Sequence, residues 1–177
     1  MASICSTACM EEPTFLQANE ADELYSQLNQ EASFIAKETF RKICEFDLSR
    51  EKAILTSPIR GYGFTQDQVD EMESEYKKYL FIRVMHPQKL LPMSKEVDDF
   101  WHAHVLNTRN YLRFMQEVAG GSFIHHGPTV SEDENIKLMP NYLNGTIALL
   151  TRYFGEPNER YWKKRYSNTA FACCSCG

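Results

Sequence analysis

The stretch Ser94–Pro128, SKEVDDFWHAHVLNTRNYLRFMQEVAGGSFIHHGP, holds four of the chain's five histidines, and the fifth, His86, lies just upstream. Val97, Phe100, Trp101, His104, Thr108, Tyr111 and Met115 recur on one side of a helical repeat, which is the pattern of a face turned to a core. Ser94 is a natural N-cap and Gly120-Gly121 a natural stop. The spacing therefore predicts one helix from Ser94 to about Val118.

Successive helical residues turn by about 100°, so His102 and His104 face opposite sides and cannot form a simple chelate on a regular helix. His104 belongs to the core stripe. It reads either as a neutral buried imidazole bonded to a tyrosine, threonine or backbone carbonyl, or as a ligand projecting into a bundle interior. His102 shares its side with Asp98, one turn before it, and with Arg109, two turns after. An Asp and a His at this spacing can reach one metal ion, the carboxylate can instead orient the imidazole, and an ordinary solvated charged face shows the same pairing.

His125 and His126 sit in a loop between a double glycine and Gly127-Pro128. In an extended segment adjacent side chains point to opposite sides, so at most one of the two joins a ligand set built on the helix. Asp98, His102 and His126 are the first-choice ligands, with His104 and His125 next. Two imidazoles and one carboxylate leave coordination positions open, which suits zinc or non-haem iron, with copper as a further divalent choice. His86, after a helix end, reads as a fourth ligand or as a C-terminal cap favoured by the helix dipole.

The remaining chain fits an all-α, single-domain bundle of about five helices. Leu24, Leu28, Ala32 and Ile35 predict a first helix from Glu20 to about Cys44. Thr65 and Gln68 form a capping box, and Val69, Met72, Tyr76 and Leu80 mark the face of a second helix. That helix should end near Met85, because Pro87 disfavours helical geometry at His86. A fourth helix is expected from Pro140 or Asn141 to Gly155, and a short fifth after Pro157-Asn158. Residues 1–19 read as a flexible arm, 20–168 as the helical domain and 169–177 as a cysteine-rich tail.

A formal net charge of -5 gives no basic footprint for a phosphate backbone, so nucleic acid is not expected as a partner. No run approaches the roughly 20 apolar residues of a membrane span, and the N-terminus lacks a secretory pattern. A soluble, cytoplasmic protein is the resulting expectation, its partner being an unspecified protein or small molecule. Of six cysteines, Cys5 and Cys9 lie at one end, Cys173, Cys174 and Cys176 at the other, and Cys44, beside Ile43 and Phe46, reads as a buried inert thiol.

Val97-Asp98, Trp101-His102, His104 and Leu106, followed by Tyr111 and by Phe123, His125-His126 and Pro128, resemble the glycine-rich domain-containing protein family. The family is named for glycine-rich sequence near the C-terminus, where this chain has CCSCG. The resemblance implies that Asp98, Trp101, His102, His104, His125 and His126 act as one unit; it implies no substrate and no cofactor. The leading reading is a metal-binding helical domain with scope for a metalloenzyme. Its rivals are a non-catalytic interaction or regulatory module, in which the His/Trp/Tyr cluster is a structural polar core, and a thiol-based carrier or redox protein using the terminal cysteines.

Overall fold

The computed structural model describes residues 15–60, 62–126 and 132–162. Among them the chain forms α1 (Phe15–Ser26), α2 (Phe34–Glu45), α3 (Ser49–Thr56), a 3-10 turn (Pro58–Arg60), α4 (Gln66–Met85), α5 (Lys95–Leu106), α6 (Thr108–Glu117), α7 (Glu132–Phe154) and α8 (Glu159–Trp162), with no β-strand. The all-α class holds, but eight helices stand where about five were expected. Cys5, Cys9, Cys173, Cys174 and Cys176 lie outside the described residues.

Two of the extra helices come from breaks inside expected continuous ones. Glu20–Cys44 is divided between α1 and α2. Asn29 in the connection accepts no helical role: its N–H donates to the Tyr153 carbonyl at 2.7 Å and its side-chain amide to the Arg152 carbonyl at 3.3 Å. Ser33 then opens α2 by accepting from the Ala36 N–H. A third extra helix, α3, lies between the expected first and second helices, and α7 begins well before Pro140.

The break that matters most falls at Asn107, between α5 and α6. Its ψ of 65° departs from helical geometry, and its side-chain amide donates to Glu51 Oε1 at 2.8 Å. Asn110, one turn on, donates to the same oxygen at 3.1 Å and to the Asp47 carbonyl at 3.1 Å. Glu51, on α3, is fully buried, and burial holds its carboxyl above the ordinary range against the lowering effect of the Asn110 and Asn107 hydrogen bonds.

Local signals fix several boundaries where they were expected. The Thr65–Gln68 capping box opens α4 with both reciprocal bonds present, and α4 ends at Met85 before Pro87. Ser94 caps α5 by accepting from the Val97 N–H. Helix α4 packs against α2, α3, α5 and α7, so it is the central member of the bundle. That position explains why Tyr79, Phe81 and Ile82 are buried alongside the expected stripe of Val69, Met72, Tyr76 and Leu80. After α4, Tyr79 Oη donates to the Leu91 carbonyl at 2.5 Å and Thr146 Oγ1 to the Pro92 carbonyl at 2.9 Å, which pins the segment leading into α5.

The Glu51 junction makes a measurable prediction. Replacing Glu51 with Ala removes the acceptor shared by the half-buried amides of Asn107 and Asn110 and should cost about 1–2 kcal/mol of unfolding free energy in urea titration. Glu51→Gln retains an acceptor at Oε1 without a charge and should cost clearly less. Equal losses in the two variants would show that the hydrogen bonds to Asn107 and Asn110 do not hold this junction.

Candidate metal centre

Asp98 lies in the first turn of α5, and His102 follows it by one turn on the same side. The rest of the site arrives by a turn of chain. Gly120 and Gly121 have φ of 63° and 83°, a left-handed conformation that glycine adopts without a Cβ penalty, and they reverse the chain after α6. The Gly121 N–H donates to the Met115 carbonyl at 2.8 Å, so the reversal is anchored on α6.

Beyond the reversal, side chains alternate as in an extended strand. Ile124 is buried and its N–H meets Met115 Sδ at 3.3 Å, whereas Phe123 and His125 are exposed, their rings tilted at 53° with centroids 4.8 Å apart. His126 turns inward again. Its ring lies parallel to Trp101, 4.5 Å between centroids and 11° between planes.

Three side chains therefore converge: Asp98, His102 and His126 each offer a ligand atom, and these atoms lie within 4.8 Å of one another. His126 Nε2 is 3.0 Å from Asp98 Oδ1 and 3.2 Å from His102 Nε2. His102 Nδ1 is 3.0 Å from the Asp98 backbone carbonyl and 3.2 Å from Asp98 Oδ2. A carbonyl can only accept, so the bond to it requires the proton on Nδ1 and leaves His102 Nε2 with a free lone pair, facing His126.

Asp98 is buried, while the His102 side chain is 48% exposed, so the cluster opens to solvent on one side. Among the described residues no lysine or arginine pairs with the Asp98 carboxylate; its close contacts are the two imidazoles. Asp98 Oδ1 is also without a hydrogen-bond partner, because the His126 ring approaches it at ion-pair distance but outside hydrogen-bonding geometry. A buried carboxylate oxygen in this state is costly unless a donor or a cation reaches it.

The other histidines are placed elsewhere. His104 is fully buried in the core, its Nδ1 2.9 Å from Tyr76 Oη, with Phe46, Tyr76, Tyr111 and Phe114 rings around it. Its Nε2 has no hydrogen-bond partner of regular geometry. His125 points outward with Phe123, and His86 sits at the end of α4 beside Tyr153 Oη at 3.3 Å. Neither His104, His125 nor His86 joins the convergent group. Arg109, expected on the Asp98 side, lies on α6 beyond the Asn107 break, so the assumed phase does not carry through to it. Burial pushes the His86 imidazole below its ordinary value, helped by Lys89 and Arg152. Cys44 is buried, and burial raises its thiol to about 12 against the pull of Lys77, so it is unreactive at neutral pH.

Helical spacing placed Trp101 and Tyr111 in the core stripe, while the family resemblance grouped Trp101 with the histidines; in the structure the Trp101 ring lies against His126, and Tyr111 bonds to Trp101 through its hydroxyl, as described below. Alternation through Phe123–His126 was the available signal for which loop histidine turns inward, and it needed the burial of Ile124 to set its phase.

A family model matches residues 24–138, which is more than half of the chain and takes in all five histidines. The chain belongs to the UCP032817-like family. That family description names no reaction, and helix α8 lies beyond the matched segment. No curated protein and no solved structure matches the chain. No helix among the described residues is long and apolar enough to cross a membrane.

Burial lowers the His104 imidazole to about 4, with the Asn110 backbone opposing the shift and Arg113 adding to it. Its folded value lies below its unfolded one near 6.5, so the unfolded chain takes up the extra proton first. The contribution is complete above about pH 6.5 and disappears as pH falls toward 4, amounting to about 3 kcal/mol. Urea titrations from pH 7 to pH 4 should show a steeper loss of stability for the native sequence than for His104→Asn. Parallel pH profiles would mean that His104 takes up its proton without opposing the fold.

Proposed function

We propose that the chain binds one divalent transition-metal ion through Asp98, His102 and His126. The observation that carries this reading is the spacing of the convergent atoms. Ligand atoms around a zinc or iron ion at about 2.0–2.2 Å stand roughly 3.0–3.4 Å apart in tetrahedral or facial octahedral geometry. The separations of 3.0 Å and 3.2 Å at His126 Nε2 fall in that range.

Three further features support the same reading. The His102 tautomer points a lone pair into the cluster, and its Nδ1–H is held by a backbone carbonyl, the usual way a ligating imidazole is oriented. Asp98 contributes the negative charge that a divalent cation needs, and it has no lysine or arginine partner among the described residues. The exposed flank at His102 leaves room for water or a small substrate on the ion. Closed structural zinc sites use four protein ligands, whereas three ligands with open positions are the arrangement of catalytic sites. We read the site accordingly as a metalloenzyme-type centre of two imidazoles and one carboxylate, with zinc and ferrous iron as the ions that this three-donor arrangement with open positions suits.

A second reading has its own observation. His126 contacts Asp98 directly and stacks on Trp101, and these contacts by themselves would clasp the loop to α5. The two readings differ in what metal does. Protein purified without an affinity tag should contain, or take up, one equivalent of zinc or ferrous iron. At a hundredfold excess over Kd the bound ion should add about 2.7 kcal/mol, or roughly 5–10 °C in Tm. His126→Ala and Asp98→Asn should each abolish stoichiometric uptake while retaining the helical circular dichroism. No uptake, no metal-dependent rise in Tm, and a lower metal-free Tm in His126→Ala would establish the clasp instead.

A further inference from the structure

The Tyr111 hydroxyl joins the two supports on which His126 rests. Trp101 Nε1–H donates to Tyr111 Oη at 3.1 Å, and Trp101 is the ring that His126 stacks upon. Tyr111 Oη in turn donates to the Ile124 carbonyl, two residues before His126 in the extended loop. One buried oxygen thus fixes both the aromatic surface under the imidazole and the backbone from which the imidazole hangs.

The covalent route from helix to loop is poorly suited to this task. His126 is 24 residues from His102 in sequence, and the chain between them passes through the Asn107 break and two consecutive glycines of positive φ. Such a connection leaves the loop position to be set by tertiary contacts. Besides the Tyr111 bond, the Ile124 backbone is held by its N–H to Met115 Sδ, a weak acceptor. The geometry points to Tyr111 as a positioning residue: its hydroxyl presets His126 against Asp98 and His102, and so sets the metal affinity of the centre. This inference rests on the metal reading above and adds to it a residue outside the ligand set.

Tyr111→Phe keeps the ring, including its 5.0 Å edge contact with His104, and removes only the hydroxyl. Loss of an outer hydrogen-bond partner of this kind weakens metal binding by about 10–100-fold. Zinc and cobalt(II) affinities should therefore fall by that factor in Tyr111→Phe, with a changed cobalt visible spectrum reporting an altered ligand field. Tyr76→Phe is the control, because it also deletes a buried phenol bond, from α4 to His104, and keeps the Tyr111 bonds to Trp101 and Ile124. Its affinity should equal that of the native sequence even if its Tm falls. Should Tyr111→Phe fail to fold, Trp101→Phe removes one of the two bonds and keeps an aromatic surface; it should show an intermediate loss.

Native affinity in Tyr111→Phe, or equal weakening in Tyr76→Phe, would overturn the positioning role while leaving the metal reading intact. If the native protein takes up no metal, the metal reading fails and with it the affinity role. Hydrogen exchange at Ile124 and His126 separates the two failures: faster exchange in Tyr111→Phe than in Tyr76→Phe shows that Tyr111 still positions the loop, and equal rates show that it does not.

Discussion

A fully buried carboxylate, Glu51, dictates how the two halves of the histidine-bearing region meet. Burying an acidic group in an apolar bundle is unfavourable unless polar hydrogens reach it, and the hydrogens come from Asn107 and Asn110. Asn107 donates from outside helical geometry, and at this residue the helix capped by Ser94 stops at Leu106 and a second begins at Thr108. Helix α6 therefore takes its direction from an interaction with α3, some fifty residues upstream. Its Tyr111 is delivered to Trp101, and its end, through Gly120-Gly121, sends the loop back along α5. The convergence of Asp98, His102 and His126 depends on that redirection.

This dependence explains which parts of the fold were legible in the sequence. Features set by neighbours in the chain could be read directly: the capping box at Thr65, the Ser94 cap, the stop before Pro87, and the separation of His102 from His104 by helical phase. The division of the histidines into a core imidazole and an Asp98-facing one needed only the 3.6-residue repeat. Features set by distant partners could not be read. Nothing near Asn107 announces a break, because its cause is Glu51, and nothing near Asn29 announces one, because its partners are Arg152 and Tyr153. Helix α4 illustrates the same limit in another form, since a stripe pattern presumes one covered face and α4 is covered by four other helices.

The candidate site was half legible for the same reason. Asp98 and His102 are an i,i+4 pair and are juxtaposed by the helix alone. His126 comes from a separate segment, and alternation says that one of His125 and His126 faces in without saying which. The choice is made by Ile124, whose burial and carbonyl contact with Tyr111 fix the phase of the extended run. His126 then shares the inward side with Ile124, and His125 shares the outward side with Phe123.

The polarity of the centre follows from where its members sit. Asp98 occupies the first turn of α5, where the unpaired backbone amides of the helix present partial positive charge to carboxylates. It is packed beneath His102 and His126, so its negative charge faces the interior of the cluster, while His102 remains half in solvent. An ion entering from the exposed flank would meet a lone pair on His102 first and the carboxylate behind it. Outward from the cluster lies the exposed flank of His102, and inward lie the buried Trp101 and Tyr111. On the metal reading, this asymmetry would leave one open face for a substrate and would hold the ligands from the packed side.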